Sequence, residues 1–99
     1  MAILMVLYPT NAGTRFDADY YVGTHMPLVR DAWTQHGLVS AEALLPDQPD
    51  PAFAAVAMLT FRDASARDAA LAGPEAAAVF ADVPRFTDIS PVAQLSHHG

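Results

Sequence analysis

Cysteine and lysine are both absent from this 99-residue sequence, and charge of either sign is scarce. Without cysteine there is no disulfide, no thiolate nucleophile, no zinc knuckle and no iron–sulfur cluster. The basic residues are Arg15, Arg30, Arg62, Arg67 and Arg85, scattered among 11 acids for a net charge of −6. Nucleic-acid backbones and anionic membrane surfaces both require a basic face, so this balance argues against either partner. No apolar run approaches the ~18 residues of a membrane span. The stretch 2–7 lacks a basic flank and is too short for a secretion signal, so the expectation is a soluble, cytoplasmic protein. No Gly-rich phosphate cradle and no nucleophile elbow occur.

What is present is greasy. Hydrophobic residues make up 53 % and charged residues 16 %, against a usual ~45–50 % and ~25 %. That excludes disorder. The length suits one domain over residues 1–99. Such a surplus on so short a chain points to a self-association surface or an apolar cavity.

Proline and glycine punctuate the chain at Pro9–Gly13, Gly37, Pro46–Pro51, Gly73-Pro74, Pro84 and Pro91. Residues 2–8 (AILMVLY) read as a strand buried on both faces. In residues 38–45, Val39, Ala41, Ala43 and Leu45 alternate with their neighbours as in a half-exposed strand. Residues 54–61 read as a second buried strand, and residues 87–95 as a last one, with Pro91 at an edge or bulge. A first helix follows Asp17 as N-cap, with Phe16 and Tyr21 as a hydrophobic staple, and stops at Gly37. Its apolar stripe reads Tyr21, His25, Leu28, Ala32. Pro27 removes one helical bond and crowds the Gly23 carbonyl, predicting a kink or break. A second helix starts from a Ser65–Asp68 capping box, and a third from Pro74 through Ala81. The order strand–helix–strand–strand–helix–strand is α+β, the ferredoxin-like βαββαβ arrangement: an antiparallel sheet with helices on one face. Two such sheets packed face to face would bury the surplus in a homodimer.

The densest chemistry lies in residues 16–29 (FDADYYVGTHMPLV). Tyr21 and His25 are four apart and share a helix face. Two readings fit His25: it satisfies backbone groups loosened by Pro27, or it is a general acid/base beside a phenol. Tyr8 ends the first strand and Asp88 begins the last, where they would flank a ligand; a core phenol and a turn residue are the plainer readings. Trp33 falls on a different stripe from Tyr21 and His25. The expected catalytic set is His25, Tyr21 and Asp88, and the expected substrate contacts are Tyr8, Tyr20, Trp33 and Thr87. No metal is expected, because His25 and His36 on one helix would stand ~16 Å apart.

Residues 1–13 followed by Arg15 to Val29, together with a second match over residues 80–95 (FADVPRFTDISPVAQL), strongly resemble the EthD family, named for ethyl tert-butyl ether degradation. The resemblance implies a ferredoxin-like subunit that pairs through its sheets into a dimeric α/β barrel, with a cleft between sheet and helices. The wider superfamily includes cofactor-free monooxygenases, muconolactone isomerases, polyketide cyclases and decarboxylases, and haem enzymes. The family's motifs fall on Tyr20, Tyr21, His25, Met26, Pro27 and Leu28, and on Thr87, Asp88 and Ile89. The implied protein is a small enzyme without cofactor, oxidoreductase, isomerase or cyclase-like, acting on a small hydrophobic ligand. The alternative is a non-catalytic binding or accessory protein. A haem enzyme ranks last, since five arginines offer little to the propionates.

Overall fold

A computed structural model describes all 99 residues. In chain order it contains β1 (Ala2–Pro9), α1 (Ala18–Tyr20), a π-turn (Tyr21–His25), α2 (Met26–Trp33) and a 3-10 turn (Thr34–His36). Then follow β2 (Leu38–Leu44), β3 (Phe53–Phe61), α3 (Ala64–Ala72), α4 (Glu75–Ala81), a second 3-10 turn (Val83–Arg85) and β4 (Val92–His97). The strands form one antiparallel sheet in the order β2-β3-β1-β4. This is the expected ferredoxin-like α+β arrangement.

The inward face of the sheet carries Leu4, Val6 and Tyr8 from β1 and Ala55, Ala57, Leu59 and Phe61 from β3, all buried. The helices cover this face, contributing Tyr21, Met26, Val29, Trp33, Ala70 and Val79 to the same core cluster. On the opposite face the pairing register aligns apolar residues across all four strands: Leu44 beside Val56, Val56 beside Leu7, Leu7 beside Val92. Directly opposed residues in an antiparallel pair point to the same side, so this row forms a continuous stripe.

The first helix begins as expected. The Asp17 carboxylate accepts the Tyr20 N–H at 3.1 Å, and the Phe16 and Tyr21 rings meet edge to face at 5.2 Å. At Pro27 the helix neither breaks nor ends. It widens: the Met26 N–H reaches back to the Tyr21 carbonyl, an i→i−5 bond, and α2 then continues from Met26. The wide turn removes the clash between the Pro27 ring and the Gly23 carbonyl that a regular helix would force. It also moves the buried stripe, which is Tyr21, His25, Met26, Val29 and Trp33 rather than Tyr21, His25, Leu28 and Ala32. Trp33 is therefore on the His25 stripe, not off it.

Three other boundaries differ from the sequence expectation. In β2 the register shifts between Leu38 and Ser40; Leu38 pairs with Phe61 and Val39 becomes the extra, exposed residue of a bulge. The cap of α3 is Asp63, whose carboxylate accepts the Ala66 N–H at 2.7 Å, while Ser65 lies inside the first turn. That bond, with the Arg62 side chain assisting, outweighs burial and holds the Asp63 carboxyl below its ordinary value. The last strand starts at Val92, because Thr87 is engaged in a turn in which its hydroxyl accepts the Ile89 N–H at 3.0 Å.

Gly37 ends the helix with φ +94°, and a Cβ there would lie 2.9 Å from the Ala66 Cβ. Gly13 also has a positive φ, +79°, but nothing lies within 4 Å of a Cβ built on it. Gly13→Ala is therefore expected to cost about 1 kcal/mol for backbone conformation alone, and Gly37→Ala about 2–3 kcal/mol because a packing clash is added. Urea melts of the two variants check the difference.

Candidate active site

The widened turn and the α4 C-terminus meet at a part-buried polar contact in an aromatic setting. His25 is 3 % exposed, and its Nδ1 lies 2.9 Å from Asp82 Oδ2. The Tyr20 hydroxyl donates to the other carboxylate oxygen, Oδ1, at 2.9 Å. Burial alone would raise the Asp82 carboxyl. The hydrogen bonds from His25 and Tyr20, with the charges of His25 and Arg85, outweigh it and hold that carboxyl below its ordinary value. An ionised Asp82 can only accept, so Nδ1 carries a proton, and the free lone pair of a neutral His25 ring is on Nε2. No protein group bonds Nε2.

Phe86, fully buried, organises the surrounding aromatics. Its ring stands 4.6 Å from His25, 5.2 Å from Tyr21 and 5.8 Å from Tyr8. Tyr21 stacks on His25 with centroids 5.8 Å apart and planes 17° off parallel.

A cavity of about 20 Å³ opens against His25. Tyr8, Tyr21, Val29, Trp33, Val79 and Phe80 are among its walls, and His25 is its one ionisable base. Such a volume exceeds the ~10–15 Å³ that one water-sized group needs and falls far short of an aromatic ring. Burial pushes the Tyr21 hydroxyl well above its ordinary value, and burial plus the nearby Tyr21 does the same for Tyr8. Both phenols therefore stay protonated as hydrogen-bond donors.

The expected site residues divide cleanly. His25, Tyr21, Tyr8 and Trp33 line the one cavity. Tyr20 does not line it but anchors Asp82 from behind, its own hydroxyl pushed up by the bond it donates to Asp82 and by burial. Asp88 and Thr87 are not brought to the cavity. The Asp88 carboxylate accepts the Arg15 N–H at 2.9 Å and the Thr87 hydroxyl donates to the Arg15 carbonyl at 2.6 Å, so the pair clamps the segment leading into α1. Both line an open surface depression of about 370 Å³ that shares only Phe80 and Val83 with the cavity wall. Asp82 was not singled out by sequence reasoning. Its signal is an acid at the C-terminal end of a helix, where the dipole disfavours negative charge and a compensating partner is needed. No group of three metal-ligating side chains forms anywhere in the chain, and no helix is long and apolar enough to cross a membrane.

The lowered Asp82 carboxyl makes stability depend on acid. Its folded value lies below the unfolded one of ~3.9, so its contribution is complete above that pH and is lost as pH falls through the folded value. Asp82→Asn, which keeps an acceptor but no charge, is expected to cost about 1–2 kcal/mol at neutral pH and to flatten the loss of stability below pH ~4. Thermal melts from neutral to strongly acidic buffer check both signs.

Residues 14–90 match the EthD domain family. An EthD-like protein from Ralstonia eutropha JMP134 is 30 % identical, with a TM-score of 0.82 over 97 % of this chain and 89 % of its own. An ethyl tert-butyl ether degradation family protein from Bacillus halodurans C-125 is 20 % identical, with a TM-score of 0.77 over 100 % and 99 %. A dimeric ferredoxin-like protein of unknown function from Jannaschia sp. CCS1 shares the fold at 15 % identity and a TM-score of 0.68, over 98 % of each chain. No curated protein matches the sequence. Matched by the family over most of its length, and at 30 % identity to a relative it covers almost end to end, this chain belongs to the EthD family.

Proposed function

We propose that this protein is a small acid–base enzyme, needing no cofactor, that acts on a hydrophobic small molecule in the cavity beside His25. The observation that carries the reading is the His25–Asp82 pair. A half-buried carboxylate fixes the imidazole tautomer and orientation and leaves Nε2 without a protein partner, while the ring lines an otherwise apolar pocket. That is the arrangement of a general base held by an orienting acid. Asp82 and Tyr20 act as positioning residues. Tyr8 and Tyr21 offer phenols to the ligand, and Trp33 a flat wall. The proton-transfer role agrees with the isomerase- and cyclase-like chemistry that the family resemblance suggests, and with oxidoreductase chemistry where proton removal activates the substrate.

The cavity must widen to admit a ring. Phe80, 38 % exposed, and Val83 form the wall shared with the open depression beside Asp88. Phe80 and Val83 together separate the two spaces, and the half-exposed Phe80 is the side of that wall that faces the depression, so the ligand's approach is assigned to the depression.

A nitrobenzisoxazole is a suitable first probe: it is planar and apolar, and one base opens its ring by removing a single carbon-bound proton. The protein is expected to accelerate ring opening beyond an equal concentration of free imidazole. His25→Ala should lower the rate by ~100-fold or more, and Asp82→Asn by about tenfold. No acceleration by the unaltered protein would leave a non-catalytic binding role in its place.

The partner is a second copy of this chain, seated on the row Leu44–Val56–Leu7–Val92. Leu44 and Val92 are 47 % and 53 % exposed in the isolated chain, and a related fold is described as dimeric. Sedimentation at micromolar concentration is expected to give a dimer, and Leu7→Arg a monomer; a monomeric parent protein would overturn the assignment.

A further inference from the structure

The sheet face turned away from the helices is ordered in rows that cross all four strands. The apolar row Leu44–Val56–Leu7–Val92 lies at one end. Beside it runs Glu42–Met58–Met5–Gln94, and beyond that Ser40–Thr60–Ile3–Ser96. Polarity therefore rises along the strands, from aliphatic side chains at one end to hydroxyls at the other. Glu42 is the one charged side chain in these rows, and it stands on the edge strand β2. Gln94 closes the same row on the opposite edge strand, β4. Both are exposed in the isolated chain.

We infer that the second copy packs on this face with the two-fold axis parallel to the strands, so that Glu42 of each subunit meets the partner's Gln94. This rests on the dimer reading of the apolar row and adds its register. Sheets stacked face to face keep their strands within about 30° of each other. A two-fold axis lying between them can then run either across the strands or along them.

An axis across the strands reverses the ends of the face. It sets the apolar row against hydroxyls, Leu44 over the partner's Ser40 and Val56 over the partner's Thr60. It also sets Glu42 over the partner's Glu42, two carboxylates face to face with no cation in any of the rows. Like charges directly opposed are destabilising, and burying them without a partner adds to the cost. An axis along the strands keeps each row over itself in reversed order. Leu44 lies over the partner's Val92, and Val56 over the partner's Leu7. Glu42 lies over the partner's Gln94, whose amide N–H donates to the carboxylate, and symmetry makes that contact twice. Because both residues stand on edge strands, the pair lies at the rim of the interface. Polar contacts there select orientation, while the apolar row supplies the adhesion.

The chain has no cysteine, so an introduced one is the only thiol. Glu42→Cys, Gln94→Cys and a coexpressed mixture of the two, one of them tagged, are treated with a short bismaleimide. The mixed dimer is expected to cross-link and each single variant to remain largely uncoupled. Coupling of either single variant to itself in preference to the mixed pair overturns the lengthwise axis, and so does a dimer in which no combination couples. Gln94→Lys supplies an independent check through sedimentation at low salt. Facing the partner's Glu42, the new ammonium group is expected to lower the dimer dissociation constant about fivefold. The crosswise axis would instead bring the two ammonium groups together, so an unchanged or raised constant overturns the register. A monomeric parent protein defeats the dimer reading itself, and sedimentation shows that before any variant is made.

Discussion

A single wide turn of helix sets the geometry of everything near His25. In a regular α-helix each residue advances ~100°, so a four-residue step overshoots a full turn by ~40°. Tyr21, His25, Val29 and Trp33 are spaced by four, and three such steps would drift by ~120° around the helix. The π-turn over Tyr21–His25 accommodates one extra residue and takes back ~100° of that drift. The four side chains thus share one buried stripe. Pro27 makes the wide turn worthwhile, since a regular turn would press its ring against the Gly23 carbonyl. One residue's missing N–H therefore aligns the histidine, the phenol and the indole on one cavity.

The rest of the fold holds that helix in place from both ends. Before it, Arg15 is clamped between Thr87 and Asp88, and the Asp17 N–H donates to the Phe86 carbonyl at 2.7 Å. At its middle, the His25–Asp82–Tyr20 contacts tie it to the end of α4. At its far end, Gly37 lies against Ala66 of α3, and the His36 ring meets Glu75 of α4 at 3.0 Å. Thr87 and Asp88 consequently matter to the site without touching its cavity. They fix where the helix starts, and a shift there would displace His25 from Asp82.

Much of this was legible in the residues, and the failures have physical causes. Strand order, the Asp17 cap, the Phe16–Tyr21 staple and the Tyr21–His25 contact follow from local chemistry within a few positions. The position of Val39 did not follow, because a bulge is decided by what the strand pairs with: Leu38 takes the inward place opposite Phe61 and reverses the alternation. Trp33 falls off the His25 stripe in a strict 3.6 period, which has no room for the wide turn that brings it back on. Ser65 and Asp63 both suit a cap, and the shorter distance from strand end to helix start favours Asp63. Asp88 and Asp82 look alike in sequence, six residues apart on a chain rich in turns. Only the packing of α4 against the first helix decides which of them meets the histidine.

The location of Asp82 argues for more than a structural role. An acid at the C-terminal end of α4 faces the negative end of the helix dipole, and its surroundings are largely desolvated. The carboxylate draws hydrogen bonds from two partners, the buried His25 and the half-buried Tyr20. Meanwhile Tyr21 and Trp33 keep polar atoms that nothing in the protein satisfies, although phenylalanine would fill much of the same volume without that penalty. Polar atoms left unsatisfied beside one cavity are what a site under functional constraint leaves behind. The apolar surplus of the chain is what makes this tolerable: a core of aromatic rings, largely free of competing polar groups, keeps each of these few hydrogen bonds strong and each missing one conspicuous.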